Sequence, residues 1–162
     1  MPGNMIVVGM ADLKVTKSPG VLTTLGLGSC VGIALYDSST KVAGLAHIML
    51  PDSKAIHNNS NVAKFADTAI EKLIADMERI GARRRGIQAK IAGGAQMFAF
   101  NATNDNLRVG DRNVESTRKV LLSHGIPLIA HETGASFGRT VELYADDGRF
   151  VIKAIGQGIR TL

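Results

Sequence analysis

The segment TTLGLGSCVGIALYD, from Thr23 to Asp37, contains two apolar stretches separated by a glycine-rich break. Aliphatic residues and threonine dominate both stretches, and β-branched residues in particular favour strands. Gly26 and Gly28 lie in the break, and glycine adopts backbone conformations that bend or interrupt a strand. The segment therefore predicts a strand interrupted by these glycines, and then a second strand that begins at Cys30, the only cysteine of the chain.

Strand-like segments continue on both sides of this stretch. MIVVGMADLKV precedes it and KVAGLAHIML follows it, with SPG and DSST as turns, and we expect these neighbours to form a β-meander. Further along, GIQAKIAGGAQMF predicts a strand that ends in a turn at Gly93 and Gly94, and IPLIAHET predicts another strand. In GRTVELYADDGRFVIKAI, Asp147 and Gly148 predict a two-residue hairpin turn.

One amphipathic helix is predicted between these groups of strands. Apolar residues from Val62 to Ile80 recur at steps of three and four residues, which places them on one helical face. Asn59 or Ser60 can cap the start of this helix, and Gly81 can end it.

A second helix is predicted over VESTRKVLLSH, with Asp111 or Asn113 as its cap and Gly125 at its end. Strands outnumber the helices and mostly suit antiparallel pairing. We therefore expect a β-rich α/β sandwich in which mixed, largely antiparallel sheets are covered by two main helices. With 162 residues, 45% of them hydrophobic, the chain has the size of a single domain spanning residues 1–162.

Composition limits the location and the partners. A single cysteine makes no internal disulfide, no basic and apolar leader begins the chain, and no segment is apolar enough to cross a membrane, so we expect a cytoplasmic protein without direct membrane insertion. The formal charge of +5 favours acidic partners. Nucleic acid is one such partner, but only 4% of the residues are aromatic, and Arg83 to Arg85 suit a solvated helix end better than a nucleic-acid patch.

Cys30 has two interpretations. A lone cysteine in an apolar stretch is most often a small core residue. A catalytic cysteine needs a base, donors for an oxyanion and room for a substrate carbonyl, and the backbone at Gly28 and Ser29 is free of bulky side chains and offers N–H groups. The glycines do not form a phosphate-binding loop, because no Gly-Lys-Ser/Thr follows them.

The other residues of a cysteine site are less distinctive alone. His47 lies in the apolar segment GLAHIML, where burial favours the neutral, proton-accepting imidazole, although a core histidine is as good an interpretation. Thr24 can orient such a ring, although threonine is also an ordinary strand residue. His57 and His124 look like surface positions, and His131 lies at a strand end. No histidine or cysteine pair has zinc-ligand spacing.

Taken together, TTLGLGSCVGIALYD and GLAHIMLP resemble the opening of the CheD family, chemotaxis proteins that deamidate receptor glutamines. KIAGGAQMF, VGDRN and GASFGRTVELYADDGRFVIK are similar to later segments of the family, so the resemblance spans nearly the whole chain. Gln96 stands where the family commonly has asparagine, and Thr133-Gly134 stands where it often has two glycines.

The resemblance implies a catalytic triad of Cys30, His47 and Thr24. It also implies a protein-glutamine glutaminase that works through a cysteine thioester without metal or organic cofactor, and that also acts on receptor methyl glutamate. The implied partners are the helical cytoplasmic bundle of a chemoreceptor and a CheC-type phosphatase. Met97, Phe98 and Phe100 could give the phosphatase a docking surface, and a core strand end explains them as well.

Three other interpretations stay open from sequence. A non-enzymatic chemotaxis regulator would bind the phosphatase or receptor without chemistry. A nucleic-acid-binding module rests only on the basic charge, and its affinity would fall steeply with salt. A cysteine–histidine protease shares the attack on a carbonyl and differs in the leaving group.

Overall fold

The structure, a computed structural model, describes residues 4–97 and 108–162, which form two stacked β-sheets with helices on the outer face of one sheet. The helices are α1 (Ala66–Arg79) and α2 (Val109–Ser123), and short 3-10 turns cover Ser53–Ala55, Val62–Lys64 and Arg84–Gly86. The strands are β1 (Met5–Val7), β2 (Asp12–Lys17), β3 (Val21–Leu27), β4 (Val31–Asp37), β5 (Val42–Ile48), β6 (Ile87–Gly93), β7 (Leu128–Thr133), β8 (Arg139–Tyr144), β9 (Phe150–Ala154) and β10 (Gly158–Thr161).

Each sheet has five strands. The first sheet has the order β1-β3-β8-β9-β10, and the second has the order β2-β5-β4-β6-β7. The β1–β3 and β6–β7 pairs are parallel, and the other pairs are antiparallel. The predicted β-rich sandwich with mixed, largely antiparallel sheets and two main helices is confirmed.

The predicted meander is wrong. β3 leaves its neighbours in sequence and joins the first sheet, whereas β2, β4 and β5 lie together in the second sheet. The segment predicted as one N-terminal strand is broken at Ala11, whose φ is 56°, into β1 and β2 of different sheets. The physical reason is burial, since nearly every residue of β4 and β5 is buried, and these strands need a covering layer on both faces.

Two apolar cores supply that cover. One lies between the second sheet and the helices and contains Ile33, Ala46 and Leu73. The other lies between the two sheets and contains Cys30 and Leu45. Successive residues of a strand alternate between faces, so the odd residues of β4 face the helices and its even residues face the first sheet.

The helix ends differ from prediction at their beginnings. α1 begins at Ala66, after a separate 3-10 turn in which Asn61 accepts a hydrogen bond from Ala63 N at 3.0 Å. α2 begins at Val109, so Asp111 and Asn113 lie inside the helix and neither caps it. Asn113 is fully buried, and its side chain bonds to distant backbone instead of to its own helix. Both predicted helix ends are confirmed, because Gly81 and Gly125 follow the helices with positive φ.

The C-terminal hairpin is confirmed, but its turn is longer than predicted. Tyr144 N donates to Arg149 O at 3.0 Å, so the turn spans Ala145 to Gly148. Asp147 accepts a hydrogen bond from Arg149 N at 3.0 Å, and Gly148 takes the left-handed conformation with φ 79°. The Asp-Gly pair thus closes a wider turn.

Within residues 4–97 and 108–162, neither helix has the length and apolar character needed to span a bilayer. Of the three residues predicted as a docking surface, Met97 is about half exposed, at 46%. Phe98 and Phe100 lie outside the described residues.

Candidate active site

Cys30 ends a short segment, here called the Cys30 loop (residues 26–30), that contains the last two residues of β3 in one sheet and leads into β4 of the other. Gly26 has φ 70° and the β3–β8 register shifts between Thr24 and Leu27, so the predicted interruption of this strand is confirmed. Gly28 N donates to Gly26 O at 3.0 Å, which closes the bend. The loop therefore has a defined shape set by its own glycines.

The turn after β6 holds the Cys30 loop from outside. Gly94 N donates to Cys30 O at 2.8 Å, and Ala95 N donates to Gly28 O at 2.8 Å. Gly93 has φ 108°, and a Cβ on it would overlap the carbonyl oxygen of Cys30. The Gly93–Gly94 turn that the sequence predicts thus fixes the backbone on which the cysteine sits.

The N–H of Gly28 is used within the loop, so it is not a free donor for a ligand. The N–H of Ser29 makes no hydrogen bond to any residue that the structure describes. The N–H of Cys30 makes no hydrogen bond to another backbone group that the structure describes, and it lowers the pKa of the residue's own thiol. Ser29 and Cys30 therefore present backbone donors at the cysteine, whereas a Cβ on Gly28 would lie 3.4 Å from Cγ of Met97.

His47 is buried, at 1% exposure, in the middle of the second sheet. β2 and β4 flank it, with Asp12 paired to it on one side and Gly32 on the other. Side chains alternate along a strand, so His47 lies on the same face of β5 as Ala43 and Leu45, and its ring faces the first sheet. Both neighbours of its strand thus hold the imidazole in the space between the sheets.

Thr24 meets the imidazole from the opposite sheet. Its Oγ1 lies 2.7 Å from His47 Nδ1 and 2.7 Å from the carbonyl oxygen of Val8. A carbonyl oxygen only accepts, so the single hydroxyl proton of Thr24 goes to Val8 and the hydroxyl accepts a hydrogen bond from Nδ1–H. This chain of hydrogen bonds fixes the tautomer with the proton on Nδ1, and Nε2 keeps its lone pair.

The second ring nitrogen of His47, Nε2, is buried and unpaired, since it makes no hydrogen bond to the residues that the structure describes. Burial lowers the pKa of His47, because the charged imidazolium loses its hydration. The ring is therefore neutral near neutral pH, with an unoccupied basic nitrogen.

Cys30 lies on the same face as His47, one diagonal step away. His47 pairs with Gly32, which has no side chain, and Cys30 is two residues before Gly32 along the chain. Diagonal neighbours of this kind lie within reach of each other. Sγ makes no hydrogen bond to Nε2 in this structure, so the Thr24–His47 contact is formed and the His47–Cys30 contact is not.

The thiol itself is neutral at rest. Cys30 is 8% exposed, and burial raises the pKa of its thiol by more than its own backbone N–H lowers it. A neutral thiol beside a neutral imidazole differs from a preformed thiolate–imidazolium pair. Such a site can attack a carbonyl only if the imidazole removes the thiol proton during the attack.

The remaining histidines lie elsewhere. His57 and His131 are exposed, and His124 lies 2.9 Å from Arg84 through its Nδ1. Among residues 4–97 and 108–162, no group of three or more histidine, cysteine, aspartate or glutamate side chains is placed to hold a metal ion.

Two further groups contact the site that were not predicted as site residues. The carbonyl of Val8 accepts from Thr24, and a backbone acceptor carries no sequence signal. Asn113 donates a hydrogen bond to the Cys30 loop, and its spacing in the sequence indicated that it faces inward. Gly110, Asn113, Thr117 and Leu121 recur at helical steps and form the buried face of α2.

Comparison with known proteins identifies the relatives of this chain. The family model described as CheD chemotactic sensory transduction matches residues 49–154. A protein of Caldanaerobacter subterraneus named "Probable chemoreceptor glutamine deamidase CheD" is 55% identical over 99% of both chains. A protein of Halalkalibacterium halodurans named "Chemoreceptor glutamine deamidase CheD" is 49% identical over 96% of both chains. The alignments with these relatives thus extend well beyond the segment that the family model matches.

Among solved structures, the Bacillus licheniformis hypothetical protein YfiH aligns with 76% of this chain and 51% of its own, at a TM-score of 0.49 and 19% identity. That likeness is too low to bear on fold or function.

Proposed function

The chain belongs to the CheD family, and we propose that it is a protein-glutamine glutaminase that converts glutamine side chains of chemoreceptors to glutamate. In this proposal residues 1–162 form one CheD-like deamidase domain. Cys30 is the nucleophile, His47 the base and acid, and Thr24 the group that orients His47. The contact between Thr24 Oγ1 and His47 Nδ1 at 2.7 Å, with Nε2 left free, is the observation that carries it.

The first half-reaction forms a thioester. Sγ of Cys30 attacks the amide carbon of the glutamine side chain, and its proton passes to Nε2 of His47 as the S–C bond forms. The tetrahedral intermediate then collapses. The C–N bond breaks, His47 returns the proton to nitrogen, and ammonia leaves.

The second half-reaction regenerates the enzyme. Neutral His47 takes a proton from water, and the hydroxide oxygen attacks the thioester carbon. The C–S bond breaks, the thiol regains its proton, and glutamate is released. The N–H groups of Ser29 and Cys30 are the donors for the oxyanion in both steps, because neither is used by another backbone group that the structure describes.

The resting geometry requires one movement before attack. Cys30 and His47 share a face without a hydrogen bond, so Sγ has to turn toward Nε2 when substrate binds. Catalytic contacts are often loose in the free enzyme and tighten in the substrate complex. A buried, neutral thiol also protects the cysteine from reaction in the absence of substrate.

The same acyl intermediate extends to esters. A receptor methyl glutamate differs from glutamine only in its leaving group, so the site would hydrolyse it through the same thioester. The partners in this proposal are the acidic helical bundle of a receptor, toward which a charge of +5 steers the protein, and a CheC-type phosphatase.

The thioester gives a specific test. A cytoplasmic receptor fragment is incubated with the protein in hydroxylamine, and its peptides are analysed by mass spectrometry. A thioester is intercepted to give glutamyl hydroxamate beside glutamate, and Cys30→Ala gives neither. Glutamate without hydroxamate at saturating hydroxylamine would indicate direct attack by water. If the receptor is unchanged by folded protein, the binding-regulator function is favoured instead.

A further inference from the structure

The ladder between β4 and β5 ends just before the residues that carry the chemistry. Its last pair is Val31 with Ile48, so Ser29, Cys30 and Met49 lie beyond the regular hydrogen bonds of the sheet. Past that pair, the Cys30 loop is held by the turn after β6 and Met49 N donates to Lys64 O at 2.8 Å, so a direct tie between the two segments has to come from another element. Strand ends without such ties tend to fray.

Asn113 of α2 supplies that tie. Its Nδ2 donates to Ser29 O at 2.9 Å and to Met49 O at 3.0 Å. A side-chain amide has two hydrogens on nitrogen, and both are used here. One acceptor is adjacent to Cys30 and the other is two residues from His47, so one side chain bridges the chain segments that carry the nucleophile and the base.

The helix is built to bring Asn113 this close. A Cβ on Gly110 would overlap the carbonyl oxygens of Gly94 and Ala95, so only glycine lets the first turn of α2 approach this backbone. One turn along, Ser116 Oγ donates to Pro51 O at 2.7 Å. The first turns of α2 thus contact both the turn after β6 and the segment after β5.

The side-chain oxygen of Asn113 indicates that this residue does more than stabilise the fold. Its Oδ1 is buried and has no hydrogen-bond partner among residues 4–97 and 108–162, although the residue is fully buried. An unpaired buried acceptor is unfavourable, and an apolar side chain of this size would avoid it. The two N–H donors are therefore the feature of this side chain that the site uses.

We infer that Asn113 is a positioning residue that sets the distance between Cys30 and His47 by clamping Ser29 to Met49. The inference rests on the proposed function for its consequence in catalysis. Its structural part, a clamp on the Cys30 loop, is independent of that function. A displaced nucleophile of about 1 Å can lower a rate about 100-fold.

Two variants and one matched control test the clamp. Asn113→Ala removes both donors and keeps a good helix former. Asn113→Asp keeps the shape of the side chain but places a carboxylate oxygen, which donates no hydrogen bond, against the two carbonyl oxygens. Unlike alanine, it leaves no room for a water to bridge them. Ser116→Ala is the control, because it also removes a hydrogen bond from α2 to the loop after β5 and does not touch the Cys30 loop.

The measurements are deamidation of a receptor fragment, alkylation of Cys30 by iodoacetamide, and thermal unfolding. We expect Asn113→Ala to lower kcat about 10- to 100-fold with KM changed less than about twofold, since only alignment is lost. Alkylation should instead become faster, because a released loop exposes the buried thiol. Asn113→Asp should show both effects more strongly. Ser116→Ala should keep the wild-type kcat and alkylation rate.

The outcomes separate the clamp from the proposed function. Wild-type kcat and alkylation rate in a folded Asn113→Ala protein would overturn the clamp, and so would equal changes in Ser116→Ala. If the wild-type protein has no deamidase activity, the proposed function fails, and faster alkylation in Asn113→Ala alone still supports the clamp. If Asn113→Asp does not fold, Asn113→Ala gives the result.

Discussion

Gly32 lies directly opposite His47 across the β4–β5 ladder, and the side chains of Leu27 and Val141 from the first sheet pack over it. A Cβ on Gly32 would lie 3.0 Å from Leu27 Cδ1, so the two sheets are close at this point. At this close approach Thr24 contacts His47 from the first sheet, while Cys30 lies two residues before Gly32 along the chain. The site is assembled between the sheets and belongs to neither alone.

The proposed orienting role of Thr24 can be separated from ordinary packing. Thr24→Val keeps the shape and removes both the acceptor for Nδ1–H and the donor to Val8 O. We expect the rate of deamidation to fall at least about 100-fold. Without Thr24 to accept from Nδ1–H, His47 can take the tautomer with the proton on Nε2, which does not accept the thiol proton. The rate at which specific receptor glutamines become glutamate, followed by peptide mass spectrometry, measures this fall.

Thr23→Val is the matched control for that variant. Thr23 is also buried, and its Oγ1 donates to Val141 O at 2.8 Å, but it does not contact His47. Each variant should lose about 1 kcal/mol of unfolding free energy, since each removes a buried hydroxyl hydrogen bond. Equal loss of activity in both variants would show that packing, and not orientation, explains the effect.

The lowered pKa of His47 predicts a pH dependence of stability. The unfolded chain binds a proton to this histidine near pH 6.5, whereas the folded protein resists it to lower pH. The unfolded state therefore binds more protons in that window, and stability is full above it and declines as pH falls through it. The slope from one proton is at most about 1.4 kcal/mol per pH unit.

Urea unfolding of wild type, His47→Gln and His57→Gln between pH 7.5 and pH 5 isolates this contribution. His47→Gln should flatten the decline of the unfolding free energy with falling pH. His57→Gln, a substitution at an exposed position, should leave this decline unchanged. An identical decline in wild type and His47→Gln would mean that the buried imidazole does not resist protonation.

The raised pKa of Cys30 predicts how the free thiol reacts. Alkylation of the native protein should keep increasing with pH through and beyond about pH 8.5, the ordinary range of a thiol. It should be slower than alkylation of the protein unfolded in urea, because Cys30 is buried. A flat, fast rate through neutral pH would instead reveal a preformed thiolate–imidazolium pair.

The glycine at position 93 has a specific steric role. Gly93→Ala places a Cβ against the carbonyl oxygen of Cys30, whereas Gly81→Ala introduces a similar positive φ where no atom lies within 4 Å. Both should lose about 1 to 2 kcal/mol from left-handed strain. Only Gly93→Ala should lose most of the deamidase rate. Full activity in folded Gly93→Ala would show that the Cys30 loop tolerates displacement.

Much of this molecule follows from local sequence pattern. The strand interruption at Gly26, the turn at Gly93 and the helix ends at Gly81 and Gly125 are glycine signals with a direct physical cause, and each is confirmed. The burial of His47 and its contact with Thr24 also fit the residue types expected there.

What the sequence missed depends on distant partners. The meander fails because β3 joins β1 and β8, and local pattern does not say which sheet a buried strand enters. Asn113 was interpreted as a helix cap because asparagine favours caps, yet its buried helical spacing with Thr117 and Leu121 pointed inward. The tertiary acceptors Ser29 and Met49 override the local preference.

The most direct test is peptide mass spectrometry of a chemoreceptor cytoplasmic fragment incubated with wild-type protein, Cys30→Ala, His47→Gln and the surface variant His57→Gln. We predict conversion of specific glutamines to glutamate by wild type and His57→Gln at equal rates. Cys30→Ala and His47→Gln should give none above the blank. Conversion by folded Cys30→Ala at the wild-type rate would contradict the cysteine mechanism, and no conversion by any of the four proteins would contradict the deamidase.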